Sequence, residues 1–300
     1  MVTGVHRTAP FRGIGLMVVS VFFMNLNNAL LKWLSGMYPA SQIIFMRSTV
    51  MVLIVLLMVP LFSSFSILKP SNNSGHWYRG VLNLLNGIFF VLAVTYLPLA
   101  ETVALTFAAP LFLTALAIPF LGERVGWRRW MAVSFGFLGI LIIARPIGGA
   151  LQLAMLFPLI AALTGAMRDI VTRKLTAEES SLSIFFTSSL ISVGGSLLAS
   201  LLDGEPFNWV MPGFHDTVLV VLTGLCVAAG HYLMIETFRF AEAKIVAPFR
   251  YTGIVWATIL GFIVWGQLPD KFVVLGVLII IASGLYILHR QRLLSEVKSP

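Results

Sequence analysis

Ten stretches of about twenty mostly apolar residues follow one another along this chain, separated by short polar gaps. At 1.5 Å of rise per residue, a helix of about that length spans the roughly 30 Å hydrocarbon layer of a bilayer. This pattern places the chain in a membrane before any motif is read. The stretches cover roughly residues 11–33, 40–62, 77–97, 102–121, 127–145, 151–172, 181–202, 217–238, 243–265 and 271–289. Only Leu97-Pro98-Leu99-Ala100-Glu101 divides the third from the fourth, so that boundary rests on the proline and the acid.

Composition closes off the alternatives. Hydrophobic residues make up 58% of the chain and charged ones 11%, against about 25% charged in a soluble domain, too few for a water-facing surface. The net charge of +8 would suit nucleic acid. The basic residues sit between apolar stretches, however, where topology and anionic lipid account for them. The lipid bilayer is therefore the expected partner, and nucleic acid is not. The single cysteine, Cys226, forms neither an intramolecular disulfide nor a Cys-based metal site. His6, Arg7 and Arg12 ahead of an apolar run imitate a signal peptide. That run is too long and lacks a cleavage site, so it is read as the first membrane helix.

Lys and Arg set the expected orientation. With the N-terminus inside, fifteen of the twenty basic residues fall on the cytoplasmic side, Arg79, Arg124, Arg128, Arg129, Arg168, Arg173 and Lys174 among them. The outer pieces hold Lys32, Arg145 and Lys271 beside Asp203, Glu205, Asp216 and Asp270. Such asymmetry predicts an even number of crossings with both termini cytoplasmic. Arg47 and Arg250 are left within the bilayer.

Two segments about 143 residues apart share a layout. Ala100-Glu101 opens an apolar helix ending Leu121-Gly122-Glu123, followed by Gly136-Phe137-Leu138-Gly139. Ala241-Glu242 opens another ending Trp265-Gly266-Gln267, followed by Gly276-Val277-Leu278. The units are expected at residues 1–148 and 149–300, with five helices each. Five is odd, so the second unit must insert upside down relative to the first. Inverted repeats of this kind build carriers, because exchanging the conformations of the halves changes the side to which a cavity opens. The expected fold is an all-α membrane protein of ten helices, two inverted five-helix repeats around a central cavity.

At these residues the chain resembles the EamA branch of the drug/metabolite transporter superfamily, over nearly its whole length. The resemblance rests on Leu121-Gly122-Glu123, on Arg47 in the second helix and on Ala247-Pro248-Phe249-Arg250-Tyr251 opening the ninth. In the second half Gln267 stands where the family usually has Glu. The resemblance implies a multi-pass protein of the cell inner membrane that exports or takes up amino acids, vitamins or nucleotide-like cofactors.

A charge inside the bilayer is costly and usually faces a cavity or a partner. Arg250, with Tyr251 and Trp256 nearby, would hold a flat, polar or anionic solute by hydrogen bonds and stacking. The bland alternative is that Arg250 snorkels to the headgroups. Arg47 would bind substrate, pair with a carboxylate, or tie two helices. Asn86 shares a helix face with Asn83 and would line a water-filled path or bond a neighbouring helix. Asn27 and Asn28 on the first helix match Arg168 and Asp169 on the sixth at an offset of about 141. Asp169, His231 and Glu236 are the candidates for proton coupling; for Asp169 the alternative is a helix that ends near Gly165 and leaves it at the interface.

No zincin, nucleophile-elbow, haem or phosphate-loop motif occurs. Neither a catalytic residue, a metal ligand nor a cofactor is expected, and an ATP-driven pump is disfavoured. The expected function is secondary active transport of a small polar organic metabolite, driven by protons or a counter-substrate. A passive channel and a membrane-embedded enzyme are the alternatives. Nothing in the sequence sets the oligomeric state.

Overall fold

The computed structural model describes residues 10–62, 64–121, 127–144, 153–175, 179–202, 209–241 and 246–296. Within these the chain is helical, with no β-strand among the described residues. Helices α1 (Pro10–Ser35), α2 (Ala40–Phe62) and α3 (Asn73–Tyr96) come first, followed by α4 (Leu99–Thr106), α5 (Ala109–Leu121) and α6 (Trp127–Ala144). Then come α7 (Leu156–Leu175), α8 (Ser181–Ala199), α9 (Phe214–Phe240), a 3-10 turn at Ala247–Tyr251, α10 (Thr252–Trp265) and α11 (Lys271–Glu296). With α4 and α5 as two parts of the fourth stretch, the helices fall on the ten apolar stretches. Seven of them are long and apolar enough to cross a membrane. Gly122, Glu123, Arg124, Arg145, Asp203, Glu205 and Glu242, used above for topology, repeat or family resemblance, lie outside the described residues.

Local chemistry sets the ends. Asn72 accepts a hydrogen bond from the Gly75 amide and starts α3, so this helix begins four residues before the apolar run suggests. Pro98 precedes α4, where the sequence places the boundary. Gly266 takes a left-handed φ of 66° and closes α10, while the Gln267 amide reaches back to the Gly261 carbonyl. Lys32 does the same service for α3 from another helix: its ammonium donates to the Val94 and Leu97 carbonyls at 2.8 and 2.6 Å.

Packing joins the first half to the second rather than each half to itself. The most extensive contacts are α1 with α9, α6 with α11, α3 with α7 and α8, and α2 with α8. The α6–α11 seam needs glycine on both sides. A Cβ on Gly139 would stand 2.8 Å from the Gly276 carbonyl oxygen, and one on Gly276 would stand 2.6 Å from that of Gly139. The helices thus approach backbone to backbone. Outward faces keep large apolar side chains: Leu57, Leu198 and Ile263 are about 70% exposed, as lipid rather than water would require.

Candidate functional site

The fourth stretch is not one rod. Phe107 and Ala108 form a turn between α4 and α5, and Pro110 has no amide to carry the helical ladder across it. The 3-10 turn before α10 is the corresponding irregularity in the second half, with Pro248 near its start. The two irregular segments meet. The rings of Phe107 and Tyr251 lie 5.0 Å apart, centroid to centroid. Tyr251 can stand there because Gly284 of α11 has no side chain; a Cβ would lie 1.7 Å from the phenol oxygen.

Beside this contact opens a cavity of about 430 Å³, walled by α3, the α4–α5 break, α7, the 3-10 turn and α11. Phe90, Phe107, Leu113 and Ile287 supply apolar surface, and Asn86, Arg168, Asp169 and Arg250 supply polar groups. A pocket with few, convergent polar groups in a mostly apolar wall suits a small organic ligand. Helix α7 runs unbroken to Leu175, so Arg168 and Asp169 are helical residues on the wall. The Arg168 guanidinium donates to Asp169 at 3.0 Å and reaches Asn83 and Asn86 at 3.4 Å. Asn86 in turn donates to the Ala161 carbonyl at 2.7 Å, across a gap that Gly165 leaves open.

Of the residues singled out in the sequence, the structure brings Asn86, Arg168, Asp169, Arg250 and Tyr251 to one cavity. It places the others elsewhere. Asn27 is buried in α1, donating to Asn28 at 3.2 Å while its own oxygen has no partner. Trp256 packs edge-on against Phe22, 5.0 Å away. His231 is exposed on α9 and faces the Phe185 ring at 6.4 Å. Glu236 is half-buried further along the same helix. Arg47 lies against Gly87 on α3.

Arg79 is the functional candidate that sequence reasoning missed. Counted only as a cytoplasmic-side charge near the start of the third stretch, it sits in the second turn of α3. It donates to Thr172 at 2.7 Å and also to Ser188 and the Ile184 carbonyl.

At the two ends of the bundle, linkers are tied across the halves. Tyr38, between α1 and α2, donates its hydroxyl to Asp216 of α9 at 2.6 Å. This bond to an anion, with burial, holds the Tyr38 phenol above its ordinary pKa. Gln42 and the Val210 backbone bond each other alongside. At the other end of α2, Glu179 accepts from the Ser71 and Asn72 amides at 2.6 and 2.8 Å, and His76 stands 3.5 Å away. Those amides, the Asn72 one foremost, hold the Glu179 carboxyl below its ordinary value, with His76 adding to the effect.

The model of the EamA-like transporter family matches the chain twice, over residues 11–145 and 152–288. An S-adenosylmethionine uptake transporter of Rickettsia bellii is 26% identical over 280 residues, covering 93% of this chain and 94% of that protein. A pseudopaline exporter of Pseudomonas aeruginosa is 27% identical over 276 residues, covering 90% and 94%. A riboflavin transporter of Rhizobium johnstonii is 28% identical over 218 residues, covering 72% and 70%. One solved crystal structure shares the fold, with a TM-score of 0.63 at 16% identity over 94% of this chain and 98% of its own. Matched over nearly its whole length, the chain belongs to the EamA-like transporter family.

Proposed function

We propose that the protein is a secondary active transporter that carries a small polar organic metabolite across the inner membrane by alternating access. Amino acids, flavins and other vitamins, and nucleotide-like cofactors are the admissible classes. Membership of a transporter family, rather than of an enzyme family, and relatives named for uptake and for export support this reading. The observation that carries it is the cavity at the Phe107–Tyr251 contact, where polar groups from both halves converge within a membrane bundle.

The two units, 1–148 and 149–300, are inverted repeats with both termini cytoplasmic. Three features support this arrangement. First, exchanging the halves turns the α1–α9 contact into α7–α3, α5–α7 into α10–α1, and α3–α8 into α9–α2, all of which are made. Second, Phe107 and Tyr251, 144 positions apart, touch each other, as equivalent residues beside a two-fold axis would. Third, Tyr38 and Glu179 stand 141 positions apart and His76 and Asp216 stand 140 apart, and the two end ties pair them crosswise.

Alternating access follows from that symmetry. When the halves exchange conformations, Asn27 and Asn28 of α1 come to the wall that Arg168 and Asp169 now occupy. Arg250 and Tyr251, beside the axis, contact substrate in both states, with Asn86 and Arg168 in the state seen here. Asp169 is the first candidate for proton coupling, because protonating it releases Arg168; His231 and Glu236 follow. The test is uptake into proteoliposomes of a labelled panel of amino acids, flavins and nucleotide-type cofactors, with and without an imposed pH gradient. Saturable uptake that Arg250→Ala abolishes at normal folded yield is expected. Flux that rises linearly with solute would favour a passive channel instead.

A further inference from the structure

The cations gathered around α3 lack counter-charge. The charge of Arg168 acts on both Arg47 of α2 and Arg79 of α3. Asp169 is the carboxylate that faces this group: it holds Arg168 at 3.0 Å and its field reaches Arg79. Arg79 is satisfied by neutral oxygens alone. Arg47 has neither a hydrogen-bond acceptor nor a carboxylate among the described residues, and its guanidinium lies against Gly87, next to the Asn86 that Arg168 reaches. His231 of α9 feels the charges of Arg168 and Arg79 and adds no anion. Among the described residues, three guanidinium groups thus face one carboxylate within the helix bundle, where an unbalanced cation is costly.

We propose that the transported solute brings the missing charge: it carries a carboxylate or phosphate group, which Arg168 receives at the cavity wall with Arg47 behind it. This rests on the transport reading of the cavity. The chemistry fits. A guanidinium offers a planar fork to either oxyanion, and such bonds are about twice as strong as neutral ones. The 3.4 Å contacts of Arg168 to Asn83 and Asn86 are long enough to yield to a charged acceptor. The Asp169 side chain is 55% exposed and has room to turn into the cavity when the solute displaces it. Arg250 then faces the remainder of the molecule from the other wall.

The test uses purified full-length protein in detergent micelles and solute pairs that differ only in the anionic group. Riboflavin and flavin mononucleotide form the phosphate arm; amino acids and S-adenosylmethionine, each beside its carboxamide, form the carboxylate arm. The readout is the thermal unfolding midpoint as each solute is titrated. The acidic member of at least one pair is expected to raise the midpoint while its neutral partner does not, and the responding arm tells carboxylate from phosphate. Arg47→Gln is expected to weaken that response by about tenfold in apparent affinity, and Arg47→Lys to retain part of it. Equal response to both members of every pair, no response to any acidic member, or an unchanged affinity in Arg47→Gln would overturn the proposal. Saturable uptake of neutral members alone sinks this inference and leaves transport standing. Acid-selective binding without uptake does the reverse.

Discussion

The ties at the two ends of the bundle each join a linker of one half to the other half, with the chemical roles reversed. At one end the linker residue Tyr38 donates and the helix residue Asp216 accepts. At the other the linker residue Glu179 accepts, and the helix side offers the Ser71 and Asn72 amides and His76. The surroundings differ as well. His76 and Glu179 have side chains 1% and 3% exposed, whereas Asp216 is 19% exposed and shares its charge with the open His215. What the two ends have in common is the cross-half pairing rather than any particular residue. The cavity teaches the same lesson. At positions 141 apart one half carries the charged Arg168–Asp169 pair and the other the neutral Asn27–Asn28 pair.

That contrast can be broken most forcefully at the wall. Arg168→Ala is expected to lower uptake by roughly ten- to a hundredfold, because a hydrogen bond to a charged group is worth about 1.5–3 kcal/mol. Asn27→Ala, at the matching place, loses a neutral bond and should cost roughly two- to tenfold. Equal losses would remove the distinction between the halves; initial uptake rates of the two variants decide it. Next in size is the seam on which the halves meet. Gly139→Leu drives a side chain into the Gly276 backbone and should destabilise by about 1–3 kcal/mol or more. Gly194→Leu, with no atom within 4 Å of its Cβ position, should be nearly silent in the same thermal melt.

The end ties sharpen the comparison further. Glu179→Ala strands the buried His76 and two backbone amides, so it should lower the unfolding midpoint more than Tyr38→Phe, which leaves Asp216 to water and His215. A larger effect from Tyr38→Phe would reverse that ranking. The smallest expected effect is on pH dependence. Glu179 is held below its ordinary value, so its contribution is complete above about pH 4.3 and is lost as pH falls through the lower, folded value. Tyr38 is held above its ordinary value, so its contribution persists below about pH 10 and is lost as pH rises further. Midpoints measured across pH should therefore show a shallower acid slope in Glu179→Gln and a shallower alkaline slope in Tyr38→Phe.

Apolar length alone announces the helices, because a bilayer leaves the backbone no other way to satisfy its polar groups. The proline and acid at Pro98–Glu101 correctly mark the narrowest boundary. Hydropathy is blind to what polar residues do at helix ends, and so it starts the third helix at residue 77 where the Asn72 cap starts it at Asn73. Arg250, Tyr251, Asn86 and Asp169 are legible as cavity residues because intramembrane polarity is rare and usually purposeful. The end ties are not legible. They join residues well over a hundred positions apart by ordinary side chains in short linkers, with no local pattern to mark them. Nor does a glycine such as Gly284 declare from sequence that Tyr251 needs its place.

The central claim is the inversion of the two units, and one labelling experiment tests it directly. Asn73 and Gly213 lie 140 positions apart at the starts of α3 and α9, and both are exposed. Single cysteines at these positions, in a Cys226→Ser background, would be probed with a membrane-impermeant maleimide on intact cells and on inverted vesicles. The account predicts that Gly213→Cys labels only from outside and Asn73→Cys only from the cytoplasmic side. Labelling of both from the same side would contradict it.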